Sequence, residues 1–420
     1  MLALPLAFIV GACTEDIESG AACPTLCPGQ QLDIIDTVIT PAVVLDTTIG
    51  DFPLLGFEPF LLLASRGDTL DVRGIVRFDT LVRFFKPNDT TDAIPVTSVD
   101  SATLHIFLRR TSLPLPATFS IEAFDVGDPT LPDLDPSTLA PFFTPERRIG
   151  IVTLDSGDVN DSTVVKIPLD AAMVLANISD PAKVMRFGLV FRAAGGGQVH
   201  VVTSSDSAQG PLLRYRVSPD TSVSVAEIRP RSSTPKSPAF VAAFLEDYNY
   251  AAGIRGIVAP NTFAVGGMPA VRSYLRFELP TWLTDSVAIV QASLELVQDP
   301  IRGLDDTVAV PIYGQMVLAG HEVTDLRRAM SLVAPIGAFI TDELVVAPGD
   351  SGVVSLEINA LIRQWRTVNG ERRFPNALTL RSRLEGASGF AARFFDMDAA
   401  PELRPRLRVS YVPSVRFGRP

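Results

Sequence analysis

Apolar and polar residues alternate with period two over much of the chain. In the stretch 101–108, Ala102, Leu104, Ile106 and Leu108 alternate with Thr103, His105 and Phe107. In 292–297, Ala292, Leu294 and Leu296 alternate with Ser293, Glu295 and Val297, and in 274–279, Leu275, Phe277 and Leu279 oppose Tyr274, Arg276 and Glu278. Such alternation predicts strands with one face buried. Two segments break it. Ile358, Leu361, Ile362 and Trp365 fall at helical spacing, with Asn359 in place to cap the N-terminus and Gly370 beyond the end. The segment 169–179, with Asp170 in the capping place, is its counterpart.

These segments recur. "RGIVRFDTL" (73–81) returns as "RSYLRFELP" (272–280), and "VTSVDSATLHIFL" (96–108) as "SVAIVQASLELV" (286–297). "VVKIPLDAAMVL" (164–175) matches "VVSLEINALIRQ" (353–364), "FGLVFRA" (187–193) matches "NALTLRS" (376–382), and "GPLLRYRV" (210–217) matches "RPRLRVSYV" (404–412). Five blocks in one order make the chain two copies of one unit, spanning 32–217 and 239–420. The Ser-, Pro- and Thr-rich stretch 218–238 between them reads as a linker, expected to be protease-sensitive. Each copy is long enough for a core of its own, so 239–420 is expected to fold alone. Mostly strands with one short helix per copy predicts an all-β protein of two tandem β-sandwich, jelly-roll-like domains.

The second copy resembles a known family. "YLRFELP", "ASLELV", "VVSLEINALIRQW", "NALTLRS" and "RPRLRVSYV", in that order over about 240–412, look like the DNRLRE-type module. That is a carbohydrate-binding-module-like β-sandwich of secreted and surface proteins. The first copy fits less well: it lacks a counterpart of Trp365 and carries an insertion around 125–150. The resemblance implies an exported, non-catalytic sandwich, and assigns sugar binding to no residue.

The N-terminus sets the compartment. Residues 1–12 are uncharged and apolar, too short for a spanning helix, and end in small residues before Cys13. This reads as a signal peptide, and Val10-Gly11-Ala12-Cys13 resembles the bacterial lipobox, which implies a lipid on Cys13 and a tether over 13–31. Thr14, Glu15, Asp16 and Glu18 follow directly, an acidic run resembling signals that send lipoproteins to the outer face of an outer membrane. Export permits a disulfide between Cys23 and Cys27 in "CPTLCPG". Free thiols are one alternative, and a metal site, for which no further His or Cys lies nearby, is another. The net charge of −11 argues against nucleic acid, whose phosphates need a basic face.

Candidate chemistry is sparse. His105, His200 and His321 are far apart in sequence, and no nucleophile elbow, zinc-protease pair or Walker loop occurs. Glu278 and Glu295 are candidates for a carboxylate pair but sit mid-strand. Asp125, Asp128, Asp133 and Asp135, and Asp155, Asp158, Asn160 and Asp161, cluster in loops without EF-hand spacing and read as turn-formers. A sugar platform would need exposed aromatics; Trp282, Tyr248 and Tyr250 are the candidates, with Trp365 assigned to the core. These features together predict a non-catalytic cell-envelope lipoprotein, structural or adhesive, without cofactor or metal, held by its anchor in an outer membrane. Its partners are the membrane and another surface protein or a polysaccharide. The alternative is a pair of polysaccharide-binding modules that deliver substrate to a separate enzyme.

Overall fold

The computed structural model describes residues 34–52, 60–67, 70–87, 91–127, 136–160, 162–180, 184–218, 223–232, 246–252, 258–301, 308–318, 323, 328–329, 332–333, 339–368 and 371–413. An N-terminal arm carries β1 (Ile35–Ile39) and β2 (Val43–Phe52). A first body follows: β3 (Phe60–Ser65), β4 (Asp71–Phe78), β5 (Phe84–Phe85), β6 (Ile94–Pro95), β7 (Ser101–Arg109), β8 (Thr118–Asp125), β9 (Arg148–Asp155), β10 (Thr163–Leu169), helix α1 (Ala171–Ser179), β11 (Met185–Arg192), β12 (Gly197–Val202) and β13 (Leu212–Arg216). A second arm holds β14 (Ala226–Ile228) and β15 (Asp247–Ala252). The second body is β16 (Thr262–Gly266), β17 (Ala270–Phe277), α2 (Thr281–Asp285), β18 (Val287–Gln298), β19 (Val310–Met316), β20 (Leu344–Val346), β21 (Gly352–Glu357), α3 (Asn359–Gln364), β22 (Thr367–Val368), β23 (Glu371–Arg372), β24 (Ala377–Ser382), β25 (Ala391–Phe395) and β26 (Arg406–Pro413). No helix among the described residues is long and apolar enough to cross a membrane.

The architecture is all-β and sandwich- or barrel-like, with two 11-stranded networks. In the first, β10-β9-β8-β11-β4-β3-β12-β7 runs as a path whose ends also pair, β10 with β7, so eight strands enclose one core. Leu104, Ile106, Ile121, Phe187, Phe191 and Leu213 fill it. Phe263, Leu275, Leu294, Leu380, Phe394 and Leu407 do the same in the second body. The alternating positions read from the sequence point into these cores: Ala102, Leu104, Ile106 and Leu108 in one, Leu275, Phe277, Ala292, Leu294 and Leu296 in the other.

The repeat is visible in the pairing. Each of the five repeated sequence blocks lies on matching strands: β4 and β17, β7 and β18, β10–α1 and β21–α3, β11 and β24, β13 and β26. Their ladders match as well. β4 pairs β11 as β17 pairs β24, β7 pairs β10 as β18 pairs β21, and β12 pairs β3 as β25 pairs β16. Asp170 caps α1 as its sequence predicts, its side chain accepting from the Ala172 amide at 2.8 Å. Asn359 does not cap α3. Ile358 holds that place, and Asn359 opens the helix with its side-chain amide donating to the Val290 carbonyl at 3.2 Å.

The arms cross over. β2, which the sequence places in the first copy, pairs along its length with β17 of the second body, from Val43↔Phe277 to Phe52↔Ala270. β1 continues this with β26, from Ile35↔Tyr411 to Ile39↔Leu407. β15, which the sequence places in the second copy, pairs with β4 of the first body, and β14 pairs with β13. The two crossings are counterparts, β2 on β17 answering β15 on β4, and β1 on β26 answering β14 on β13. The sheets are therefore not divided at 218–238. Part of that stretch is strand, Val223 lies in the first core, and Arg231 exchanges backbone hydrogen bonds with Arg77 and Asp79 at 2.9 Å. Alternation within each strand carries no information about this exchange, because an arm shows one apolar face whichever body it joins.

Candidate functional site

The predicted site residues are scattered. Cys13, Cys23 and Cys27 lie outside the described residues, as do His321, Asp128, Asp133, Asp135 and Asp161. Tyr248 and Tyr250, expected in a polar loop, are instead on β15 and buried against Ile75, Phe124, Val190 and Leu139. Tyr250 stacks on Phe143 with ring centroids 5.8 Å apart. The 125–150 insertion supplies Leu139, Phe142 and Phe143 and so covers this outer face, which removes both tyrosines from any exposed platform. Trp282 is separate, on α2 of the second body, 36% exposed and tilted against Tyr411 at 4.8 Å. Trp365 is fully buried beside Phe277, as its helical spacing predicts.

The charged candidates have structural partners. Glu295, on the polar side of the alternation in β18, is buried between Arg408 at 2.6 Å and Arg406 at 3.3 Å. Asp125 accepts from the Gly127 amide and faces Arg147 at 3.5 Å. Asp155, Asp158 and Asn160 hold turns: the Asp155 amide donates to Asp158, and the Ser162 amide to Asn160. Among the described residues no three His, Cys, Asp or Glu side chains are grouped to hold a metal. A cavity of about 490 Å³ opens where the second arm crosses the first body, lined by Thr80, Ser204, Glu227, Arg229, Arg231 and Glu246. Among the described residues its lining includes no aromatic side chain, and the Ser204 hydroxyl donates to Glu246 at 3.2 Å.

The most elaborate constellation lies at the junction of the two bodies. On the outer face of β17 and β24, Glu385 accepts both arms of Arg272, at 2.9 and 2.7 Å, and is also bridged by Arg381 at 3.0 Å. Arg381 in turn donates to Gln315 at 2.8 Å, and the Tyr274 hydroxyl donates to the Ala329 carbonyl at 3.1 Å. Burial pushes the Glu385 carboxyl up, but the two guanidiniums outweigh it and hold its pKa below the usual carboxylate range. Glu385 thereby fixes the start of the loop 385–390, and this loop docks on the first body.

The docking surface is the outward face of β3, β12 and β15. His200 Nε2 meets the Ala387 carbonyl at 2.5 Å, and its ring stacks on Phe60 with centroids 5.2 Å apart. Asn249 donates to the Gly386 carbonyl at 2.6 Å while accepting from the Leu62 amide at 2.9 Å. Arg66 lies over the Phe390 ring at 4.7 Å. Gly386 has a φ of +76°, a conformation that favours glycine, and a Cβ on Gly389 would stand 2.7 Å from the Leu70 side-chain tip, so the loop lies close against the first body. Beside it Leu62, Ala64, Leu70 and Val72 pack on Met268 of the second body. The sequence carries little trace of the junction. One signal was present: the unbroken apolar run 60–64 marks a strand buried on both faces.

Burial lowers the His200 pKa, helped by Arg109, while the Ala387 carbonyl acts the other way. The unfolded chain therefore binds a proton at about pH 6.5 that the folded chain resists. This contribution is present above that pH and fades as pH falls through it. We expect unfolding midpoints to drop between about pH 7 and pH 5.5, and to drop less in His200→Gln. His105, whose pKa burial also lowers, titrates in both proteins. Equal slopes in the two proteins would remove His200 from the junction's energetics.

No protein-family model matches the chain, and no curated protein matches it. Among solved structures it is similar to the structure of the infectious bursal disease virus Gx strain, at 12% identity over 93% of this chain and 80% of that chain, with a TM-score of 0.11. It is also similar to the infectious bursal disease virus VP2 subviral particle, at 11% identity over 87% of this chain and 79% of that chain, with a TM-score of 0.14. Scores this low carry no inference about fold or function.

Proposed function

We propose that the protein is a non-catalytic structural lipoprotein of a bacterial cell envelope, built from two tandem jelly-roll-like domains related to the DNRLRE-type sandwich. The observation that carries this reading is the reciprocal crossing of the arms, β1–β2 onto the second body and β14–β15 onto the first. A binding module has no need of it, whereas a structural element gains two bodies that cannot separate without breaking strand ladders. The sheet faces that would form a groove in a sugar-binding module are occupied, by Leu139 and Phe143 in the first body and by Val323, Ala329 and Leu332 in the second. In this reading the chain leaves the lipidated Cys13 by a short tether and enters the second body first, since Ile35 pairs with Tyr411.

The test is fractionation of cells expressing the wild type and Cys13→Ser. The wild type should sediment with membranes and the variant should be soluble, because several acyl chains give stable attachment and none gives no attachment. Identical partition of the two proteins would end the lipoprotein reading.

A further inference from the structure

We infer that the N-terminal arm, residues 34–52, is an exchangeable donor strand whose second acceptor is another copy of this chain, giving arm-exchanged dimers. The contacts of the arm are made to the second body. β2 lies on β17 and β1 on β26. Ala42 and Val43 enter the second core and Ile49 packs beside Tyr274 and Ala329. Asp46 accepts from the Met397 amide at 3.0 Å, and Ser410 bonds to Asp36. Among the described residues no ladder joins the arm to β3 or β4, the strands that follow it in sequence.

The single chain is thus already arranged as an exchanged dimer of its two halves, with β1 and β2 of the first copy on the second body and β15 of the second copy on the first. Every contact the arm makes within one chain is offered unchanged by a second chain, which is the condition for exchange at low cost. Only the high effective concentration of the tethered arm favours the closed form. Two chains that fold together therefore partition between closed monomers and exchanged dimers. The recognition is by backbone ladder along the edge of β17 and by the apolar pocket that receives Ala42 and Val43, a form of strand addition whose partner is this same sequence.

The arm's position can be trapped by a disulfide. Thr48 lies opposite Ser273, with hydroxyl oxygens 3.1 Å apart. In the full chain with Cys13, Cys23 and Cys27 replaced by Ser, one version carries Thr48→Cys and a second, differently tagged, carries Ser273→Cys. The two are co-refolded, oxidised and separated without reductant. A disulfide between the tagged chains, absent when either version is refolded alone, is the expected result. The double variant Thr48→Cys, Ser273→Cys reports that the pair can close at all, as a monomer with an internal disulfide. If the double variant closes and the co-refolded single variants give no mixed dimer, the arm is committed to its own chain and the inference fails. If the double variant fails to close, the Thr48–Ser273 pairing itself is absent, which also overturns it.

Discussion

A chain of residues 239–420 should not fold, although the sequence repeat makes it a complete copy. It lacks β1 and β2, so the edges of β17 and β26 lose their ladders, and the core loses Ala42 and Val43. Burying a valine contributes about 1.5–3 kcal/mol, and each buried backbone group left without a partner costs about 1–3 kcal/mol. Against a total stability of roughly 5–15 kcal/mol, losing a whole arm removes the folded state. Residues 34–52 joined by a flexible linker to 262–413 should restore it, and 60–252 should fold without further addition. Circular dichroism and urea unfolding of the three fragments check this. A cooperative transition in 239–420 matching that of the linked protein would contradict the assignment of the arm.

The second large effect is expected at Glu385. It stands between Arg272 and Arg381, with all three side chains mostly buried. Glu385→Gln keeps the shape but leaves two guanidiniums without a counter-charge, a change that costs about 3–5 kcal/mol at buried pairs. It also loosens the loop whose Gly386 and Ala387 carbonyls receive Asn249 and His200. The pH dependence gives an independent readout. Because the folded-state pKa of Glu385 is depressed, its contribution is present above about pH 4.3, the unfolded value, and is lost as pH falls through the folded one. The variant should be less stable at neutral pH and should lose less on acidification below about pH 4.3. Urea unfolding at neutral and acid pH measures both. Equal stability of the two proteins at neutral pH would mean that the triad contributes nothing net.

Much of the strand content was legible because period-two alternation follows directly from one-sided burial, and Leu104, Ile106, Leu294 and Leu296 point where it says. The helices α1 and α3 followed from apolar spacing. The sites were not legible, for a physical reason in each case. Tyr248 and Tyr250 look like loop aromatics among Asp247, Asn249 and the following alanines. What buries them is the 125–150 insertion, more than a hundred residues away, and a local pattern does not report a distant cover. Alternation sets Tyr274 on the face opposite Leu275, yet it too is buried, because Val323 and Ala329 pack on it. The crossing of the arms is the largest such case. Sequence repeats give the order of equivalent segments, while the choice between pairing with one's own body or the neighbour's depends on connection geometry, which leaves no trace in the alternation of β2 or β15.

β2 is a strand of the second body. Amide hydrogen exchange, read on peptides covering 71–78 and 270–277 in the full chain and in a chain lacking residues 1–52, tests it most directly. Loss of protection in 270–277, with 71–78 still protected by β15 and β11, is the predicted result. Loss in 71–78 with 270–277 unchanged would place the arm on the first body, and the crossing would not exist.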